Sequence, residues 1–308
     1  MSVVRLSNSE LQTFKDCRRR WWLTYYRRLQ PRYKETTGAL ALGSRIHEAL
    51  DQYYSKGVPL LQAHSDLVEH DRILMADQMF GIETLEKEAE LGRIMLEGYL
   101  QWVEEEGIDA ELEMISTEEQ ITAPLFNGEV ELTGKLDMRV RRKADGVRFF
   151  RDFKTVGGSL SDFANLAPMN EQILTYMLLE STKADEEQRV EGGIFTMLKK
   201  VRRSAAAKPP FYDQVVVRHN VFALRAFWNR IHGTIADLMR VRKSLDEGEA
   251  HTFVAYPRPT RDCKWKCQFF AICPLMDDGS AAEEALSDMF VEGDPYGYYN
   301  TSEAKGSE

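Results

Sequence analysis

Residues 129–156 read EVELTGKLDMRVRRKADGVRFFRDFKTV. Apolar side chains recur at every second position through Val130, Leu132, Leu136, Met138 and Val140, the period of a half-buried strand. Lys143-Ala144-Asp145-Gly146 is a hairpin turn signal, and Val147 to Val156 returns as a second strand. With Asp145-Gly146 as the turn, Asp137 faces Lys154. With the turn centred on Ala144-Asp145, Asp137 faces Asp152. Side chains alternate faces along a strand, so under either register Asp137, Asp152 and Lys154 share one face. Cross-strand neighbours lie ~5 Å apart and diagonal ones ~7–8 Å. Two carboxylates so placed suit one hard divalent cation. A lysine beside them suits charge that builds on a phosphoryl group. The chemistry indicated is metal-assisted phosphodiester hydrolysis. The plain alternative is a solvated strand face with a cross-strand ion pair.

The rest of the chain surrounds this hairpin with helices. Ser7 and Glu10 have capping-box spacing, and Leu11, Phe14, Trp21 and Tyr25 follow at helical intervals until Pro31. Further helices are predicted over 39–56, 64–80, 84–105, 167–181 and 221–246. Further strands are predicted over 112–123, 190–199 and 212–218. This order is mixed α/β, with helices around a central sheet. Residues 1–278 are expected to form one domain. Its helical part spans about 58–110 and its irregular, cysteine-bearing part about 250–275. The acidic stretch 279–308 reads as a disordered tail.

Composition narrows the classes. The 308 residues are 43% hydrophobic and 29% charged, an ordinary globular mix. No apolar run approaches the roughly 18 residues of a membrane span, and the start has no apolar signal core, so an intracellular, cytoplasmic protein is expected. The net charge of −9 is uneven. Residues 1–35 hold nine Lys or Arg against three Asp or Glu, so local basic stripes can attract phosphate on an acidic protein. Arg18–Arg20, Arg27 and Arg28 mingle with Trp21, Trp22, Tyr25 and Tyr26, a pattern for base stacking or simply for a core flanked by solvated cations. No G-x-x-x-x-G-K-[ST] loop, G-x-S-x-G elbow or H-E-x-x-H helix occurs, so an ATP-driven motor and the commonest hydrolase and zinc-protease signatures are excluded.

Two more patterns carry chemistry. Gly43 precedes His47 by one helical turn, and Gln172 and Tyr176 share a helix face after the hairpin. Cys263, Cys267 and Cys273 form a C-x3-C-x5-C trio, and Cys17 is the one other thiol. Four thiolates suit a 4Fe–4S cluster or a structural zinc, and a metal so held would staple distant parts of the chain.

Taken in order, Gly43/His47, Gly134/Asp137, Asp152/Lys154 and Gln172/Tyr176 resemble the RecB-type branch of the PD-(D/E)XK nuclease superfamily. The opening Leu6 to Leu11, with Phe14 and Cys17, resembles the start of these domains, and the likeness spans about residues 5–275. The resemblance implies a restriction-endonuclease-like core. It implies that His47, Asp137 and Asp152 bind Mg²⁺ or Mn²⁺ with the carbonyl of Phe153, that Lys154 is the catalytic lysine, and that Gln172 and Tyr176 hold DNA near the scissile phosphate. The cysteines are similar to those of the iron-staple nucleases, the CRISPR-associated exonucleases and AddB-type subunits, which implies that Cys17, Cys263, Cys267 and Cys273 hold a 4Fe–4S cluster. The C-x3-C spacing departs from the usual C-x2-C and keeps zinc as the alternative. The implied function is a metal-dependent DNA exonuclease acting on single-stranded ends in recombination, repair or end processing. The rival is a non-catalytic DNA-binding scaffold on the same fold.

Overall fold

The structure is a computed structural model that describes residues 3–33, 36–75, 81–182 and 190–300. The chain divides into two compact units. One comprises residues 1–34, 122–134 and 225–308, the other 35–121 and 135–224. Two strands contribute residues to both units. These are β3 (Leu112–Leu125) and β4 (Val130–Arg142), which pair with each other.

The second unit is built on a mixed sheet. The later half of β4 pairs antiparallel with β5 (Arg148–Val156), β5 pairs parallel with β6 (Gly192–Lys199), and β6 pairs antiparallel with β7 (Tyr212–Arg218). Parallel neighbours need a crossover, and the helix Glu171–Ser181 is part of it. Helices Ala39–Lys56 and Ile82–Glu106 supply Leu42, Ile46, Leu96 and Tyr99 to the main core, with Met138, Val140, Phe149 and Phe153 from the hairpin. These four hairpin residues occupy one strand parity. The other parity carries Asp137, Arg139, Phe150, Asp152 and Lys154, and it meets the crossover helix. Gly193 permits that approach, because a Cβ there would stand 2.1 Å from the Ile173 side chain. The helix predicted over 64–80 is observed as Leu60–Leu74, and its expected end falls on residues 76–80, outside the described residues.

The hairpin takes the second of the two registers. Met138 pairs with Arg151 and Arg141 with Arg148, and Arg142 N–H reaches the Val147 carbonyl. Asp137 therefore lies one step beyond the last ladder pair, level with Asp152.

In the first unit β1 (Val4–Ser7) runs parallel to the early half of β4, with Val4 opposite Val130 and Ser7 opposite Thr133. Ser7 caps the following helix by accepting the Glu10 N–H. The expected single helix as far as Pro31 is interrupted. Asn8–Asp16 ends where Cys17 turns extended, Arg18–Trp21 begins anew, and a π-helical turn covers Trp22–Tyr26. Part of the stretch expected to be a disordered acidic tail is also structured. Ala282–Met289 is a helix, and β8 (Phe290–Glu292) pairs antiparallel with β2 (Leu29–Pro31). The apolar side chains Ala282, Leu286 and Phe290 are buried, spaced four apart among acids, and Phe290 stacks on Phe269 at 4.6 Å. The rest of that stretch, 301–308, lies outside the described residues.

Glu10 does not return the capping-box bond. Its buried carboxyl accepts the Trp21 Nε1–H at 2.8 Å and contacts the Tyr296 hydroxyl, which also donates to the Arg5 carbonyl at 2.9 Å. Burial pushes the Glu10 carboxyl up to about 7, against the opposing pull of the Trp21 hydrogen bond and Arg242. A protonated Glu10 leaves no carboxylate charge buried here. The raised folded value makes this contribution full below pH ~4.5 and lost as pH rises through 7, of order 3 kcal/mol in all. Glu10→Gln, which mimics the neutral acid, is expected to raise the melting temperature by several degrees at pH 8.5 and leave it unchanged at pH 4.5. Equal shifts at both pH values, read by calorimetry, would refute the assignment.

Candidate active site

The described contacts bring six of the sequence-selected residues together in the second unit. The β4–β5 ladder ends at Met138 and Arg151 although both strands continue. The Phe153 N–H, which the ladder would otherwise pair, donates to Asp137 Oδ2 at 3.0 Å. The same oxygen lies 3.4 Å from His47 Nδ1. Helix Ala39–Lys56 brings His47 there through the close seating of Gly43, where a Cβ would sit 3.1 Å from Thr155 Oγ1.

Asp152 is 2% exposed. Lys154 Nζ approaches its Oδ2 at 2.6 Å, and Gln172 Nε2 donates to its Oδ1 at 2.9 Å. Lys154 also donates to Gln172 Oε1 at 3.0 Å. The Gln172 amide is thereby oriented, with its oxygen on the ammonium and its nitrogen on the carboxylate. That nitrogen also reaches the Tyr176 hydroxyl at 2.9 Å, and Tyr176 donates to the Lys135 carbonyl at 2.7 Å. Gln172 and Tyr176, expected at the DNA, are thus bonded to the cluster itself, and Tyr176 is buried.

One turn further along the same helix face, Glu180 pairs with Arg139 at 2.7 Å, deep in the protein. Sequence reasoning missed this anchor, although Arg139 shares the parity of Asp137 and Glu180 follows Tyr176 by four residues. It also missed Glu118, which pairs with Lys135 and lines a small cleft with His47, Asp51, Thr117 and Asp137. Glu118 has φ +51°, a left-handed conformation that nothing in Thr117-Glu118-Glu119 announces.

The electrostatics follow from burial and crowding. Burial pushes Asp152 up to about 6, Lys154 pulls the other way, and the Asp137 charge adds to the rise. Burial likewise disfavours the charged Asp137, but the His47 contact, Lys154 and the Phe153 N–H together hold it below the usual range. Burial works against the Lys154 ammonium, yet Asp152 and Asp137 outweigh it and keep Lys154 above an ordinary lysine. Lys154 is thus held as a positive charge.

Comparison with known proteins places the chain in a family. Residues 5–274 match the PD-(D/E)XK nuclease superfamily. The chain belongs to that superfamily. A solved structure of a candidate exonuclease from Eubacterium rectale is 11% identical, covering 86% of this chain and 93% of that one, with a TM-score of 0.48. A second solved structure, designated only by a locus name, is 16% identical, covering 79% of this chain and 87% of that one, with a TM-score of 0.32. No curated protein matches.

PD-(D/E)XK nucleases typically use divalent cations such as Mg²⁺ or Mn²⁺. Among the described residues, no three His, Cys, Asp or Glu side chains stand close enough to hold one ion, and Lys154 and His47 lie against the two carboxylates. The donor set nevertheless fits a hard cation. Two carboxylates stand level on neighbouring strands with an imidazole beside them, and Asp152 Oδ2 is sealed from solvent against the Lys154 ammonium. Partners that orient such carboxylates commonly matter 10–100-fold. Gln172→Ala, which frees both Asp152 and Lys154, is expected to lower kcat on DNA by about that factor with the melting temperature little changed. An unaltered kcat would show that the amide does not orient the cluster.

Proposed function

We propose that the chain is a divalent-metal-dependent deoxyribonuclease, an exonuclease that hydrolyses phosphodiester bonds from single-stranded DNA ends in recombination, repair or end processing. The observation that carries this reading is the convergence of Asp137, Asp152 and Lys154 on one strand face, with Lys154 touching Asp152 and His47 beside Asp137. His47, Asp137 and Asp152 would hold Mg²⁺ or Mn²⁺, with the Phe153 carbonyl. Such an ion polarises a phosphoryl oxygen and acidifies a bound water. The chain's own groups do the rest. Lys154, held protonated, offers its charge and a proton to the phosphate oxygens as negative charge builds there. Gln172 fixes the direction of that ammonium and of the Asp152 carboxylate at once. Tyr176, tied to the Lys135 carbonyl, fixes Gln172. Burial of Asp152 strengthens each of these interactions. Both carboxylates and the lysine are present, with Lys154 on Asp152, a set of which a non-catalytic scaffold usually lacks a member.

The second metal belongs to the first unit. Each of the four cysteine sulfurs accepts an N–H donor. Arg258 N–H points to Cys17, Thr260 N–H to Cys263, the Phe269 N–H to Cys267, and the Arg19 guanidinium to Cys273. Burial raises the Cys267 thiol, and the nearby Cys17 and Cys273 add to the rise. Sulfurs supplied with N–H donors suit thiolate ligands whose charge a metal neutralises. Cys17, Cys263, Cys267 and Cys273 would hold a 4Fe–4S cluster, with zinc as the alternative.

End-labelled linear single-stranded DNA and circular single-stranded DNA, each with Mg²⁺ or Mn²⁺, test the activity. The wild type is expected to degrade the linear strand alone, and Lys154→Ala or Asp152→Ala neither. Full activity in both variants would remove the site assignment, and cutting of the circle would make the enzyme an endonuclease as well. For the cluster, the purified protein is expected to carry iron and acid-labile sulfide, and Cys267→Ala to lose both and melt at lower temperature. Zinc without sulfide would decide for the alternative, and an unchanged melting temperature without bound metal would end the staple.

A further inference from the structure

The cysteine-bearing segment presents a chemistry that neither the carboxylate cluster nor the thiols use. Within residues 253–270, Phe253 is 76% exposed, Tyr256 47%, Trp265 64% and Phe270 46%. Aromatic side chains gain most from burial, so four left in solvent on one short segment mark a contact surface. Cations alternate with them. Arg258, Arg261, Lys264 and Lys266 are all exposed, and Asp262 is the one acid in the stretch, in a chain whose net charge is −9. Pro257 and Pro259 stiffen the backbone on either side of Arg258. At one end of the segment, Tyr256 and Arg258 line a cleft of about 430 Å³ with Phe14, Lys15, Arg18 and Asp237. There the Arg18 guanidinium lies 5.0 Å from the Phe14 ring centre and 5.2 Å from that of Tyr256, and it is paired with Asp237. The ring of Tyr256 is thus already fixed in place.

We propose that residues 253–270 are a binding track for single-stranded DNA, in which Trp265 and Tyr256 stack on bases and Arg258, Arg261, Lys264 and Lys266 meet phosphates. The charge complementarity selects the partner. Protein interfaces are depleted of lysine, whereas exposed rings interleaved with cations are what an unpaired strand requires. A duplex, with its bases already stacked, has no use for the ring faces. The proposal rests on the nuclease reading for its choice of DNA, and it adds a binding surface to the unit that lacks the carboxylates.

The test uses the full-length chain in its Lys154→Ala form, so that no cleavage intervenes. Binding of fluorescein-labelled oligothymidine is followed by anisotropy at several salt concentrations, beside a blunt duplex of the same length. Trp265→Ala is expected to weaken single-strand binding about tenfold, and Trp265→Phe to retain most of it. Lys264→Ala with Lys266→Ala is expected to lower the slope of log affinity against log salt by roughly one. Duplex binding should be unchanged by Trp265→Ala. Melting curves verify the fold, and should Trp265→Ala fail to fold, the Phe variant and the lysine pair still decide. No detectable binding, unchanged single-strand affinity in the variants, or an equal loss for duplex would overturn the track. Wild-type protein that binds as expected but cleaves nothing would overturn the nuclease reading and leave the track standing.

Discussion

The fork between β4 and β5 is the constraint on which the candidate site depends. A strand inside a sheet spends its backbone groups on its neighbours, and each buried N–H left unpaired costs about 1–3 kcal/mol. Where the two strands separate, the Phe153 N–H needs another acceptor. The Asp137 carboxylate supplies it. That one bond fixes Asp137 in the mouth of the fork, level with Asp152 and within reach of His47. Continued pairing would have left Asp137 as one more cross-strand residue, with no opening beside it.

Two like charges at that spacing have to be compensated. Lys154 does this at Asp152, and the crossover helix holds the pair in place with three residues four apart on one face. Glu180 anchors the helix to Arg139, Tyr176 ties it to the Lys135 carbonyl, and Gln172 bridges Asp152 and Lys154. The anchor is buried, so the position of Gln172 is set by an ion pair two turns away as much as by its own bonds. Gly193 lets the helix lie close enough for those bonds to be short. Packing, charge pairing and candidate chemistry are therefore read out along a single helix face, and a loss at either end is felt at the other.

Most of this architecture is legible in the residues. The strand and helix periods place the secondary structure, and alternation alone puts Asp137, Asp152 and Lys154 on one face under either turn. The choice of register was not legible, because Ala144-Asp145 and Asp145-Gly146 are both good turn centres. The structure decides it through the Arg142–Val147 backbone bond. The break at Cys17 was also hidden, since its neighbours keep helical spacing and the extended conformation belongs to Cys17 alone. Acid-rich composition masked Ala282, Leu286 and Phe290, whose burial depends on Phe269 and on pairing with Leu29–Pro31. Glu118 was invisible because a left-handed residue inside a strand comes from tertiary contact, not propensity.

The first unit shows why a metal there need not be its only tie. Arg19, 2% exposed, makes two bonds to Asp277 and a third to the Cys273 carbonyl, and β2 pairs with β8. These contacts already join parts of the chain some 250 residues apart, the loop closure that a cluster would otherwise have to offset alone. Arg19 also places its guanidinium against the Cys273 sulfur. One buried cation thus touches both the Asp277 carboxylate and a cysteine sulfur. The exposed rings of Phe253, Trp265 and Phe270 take part in neither contact.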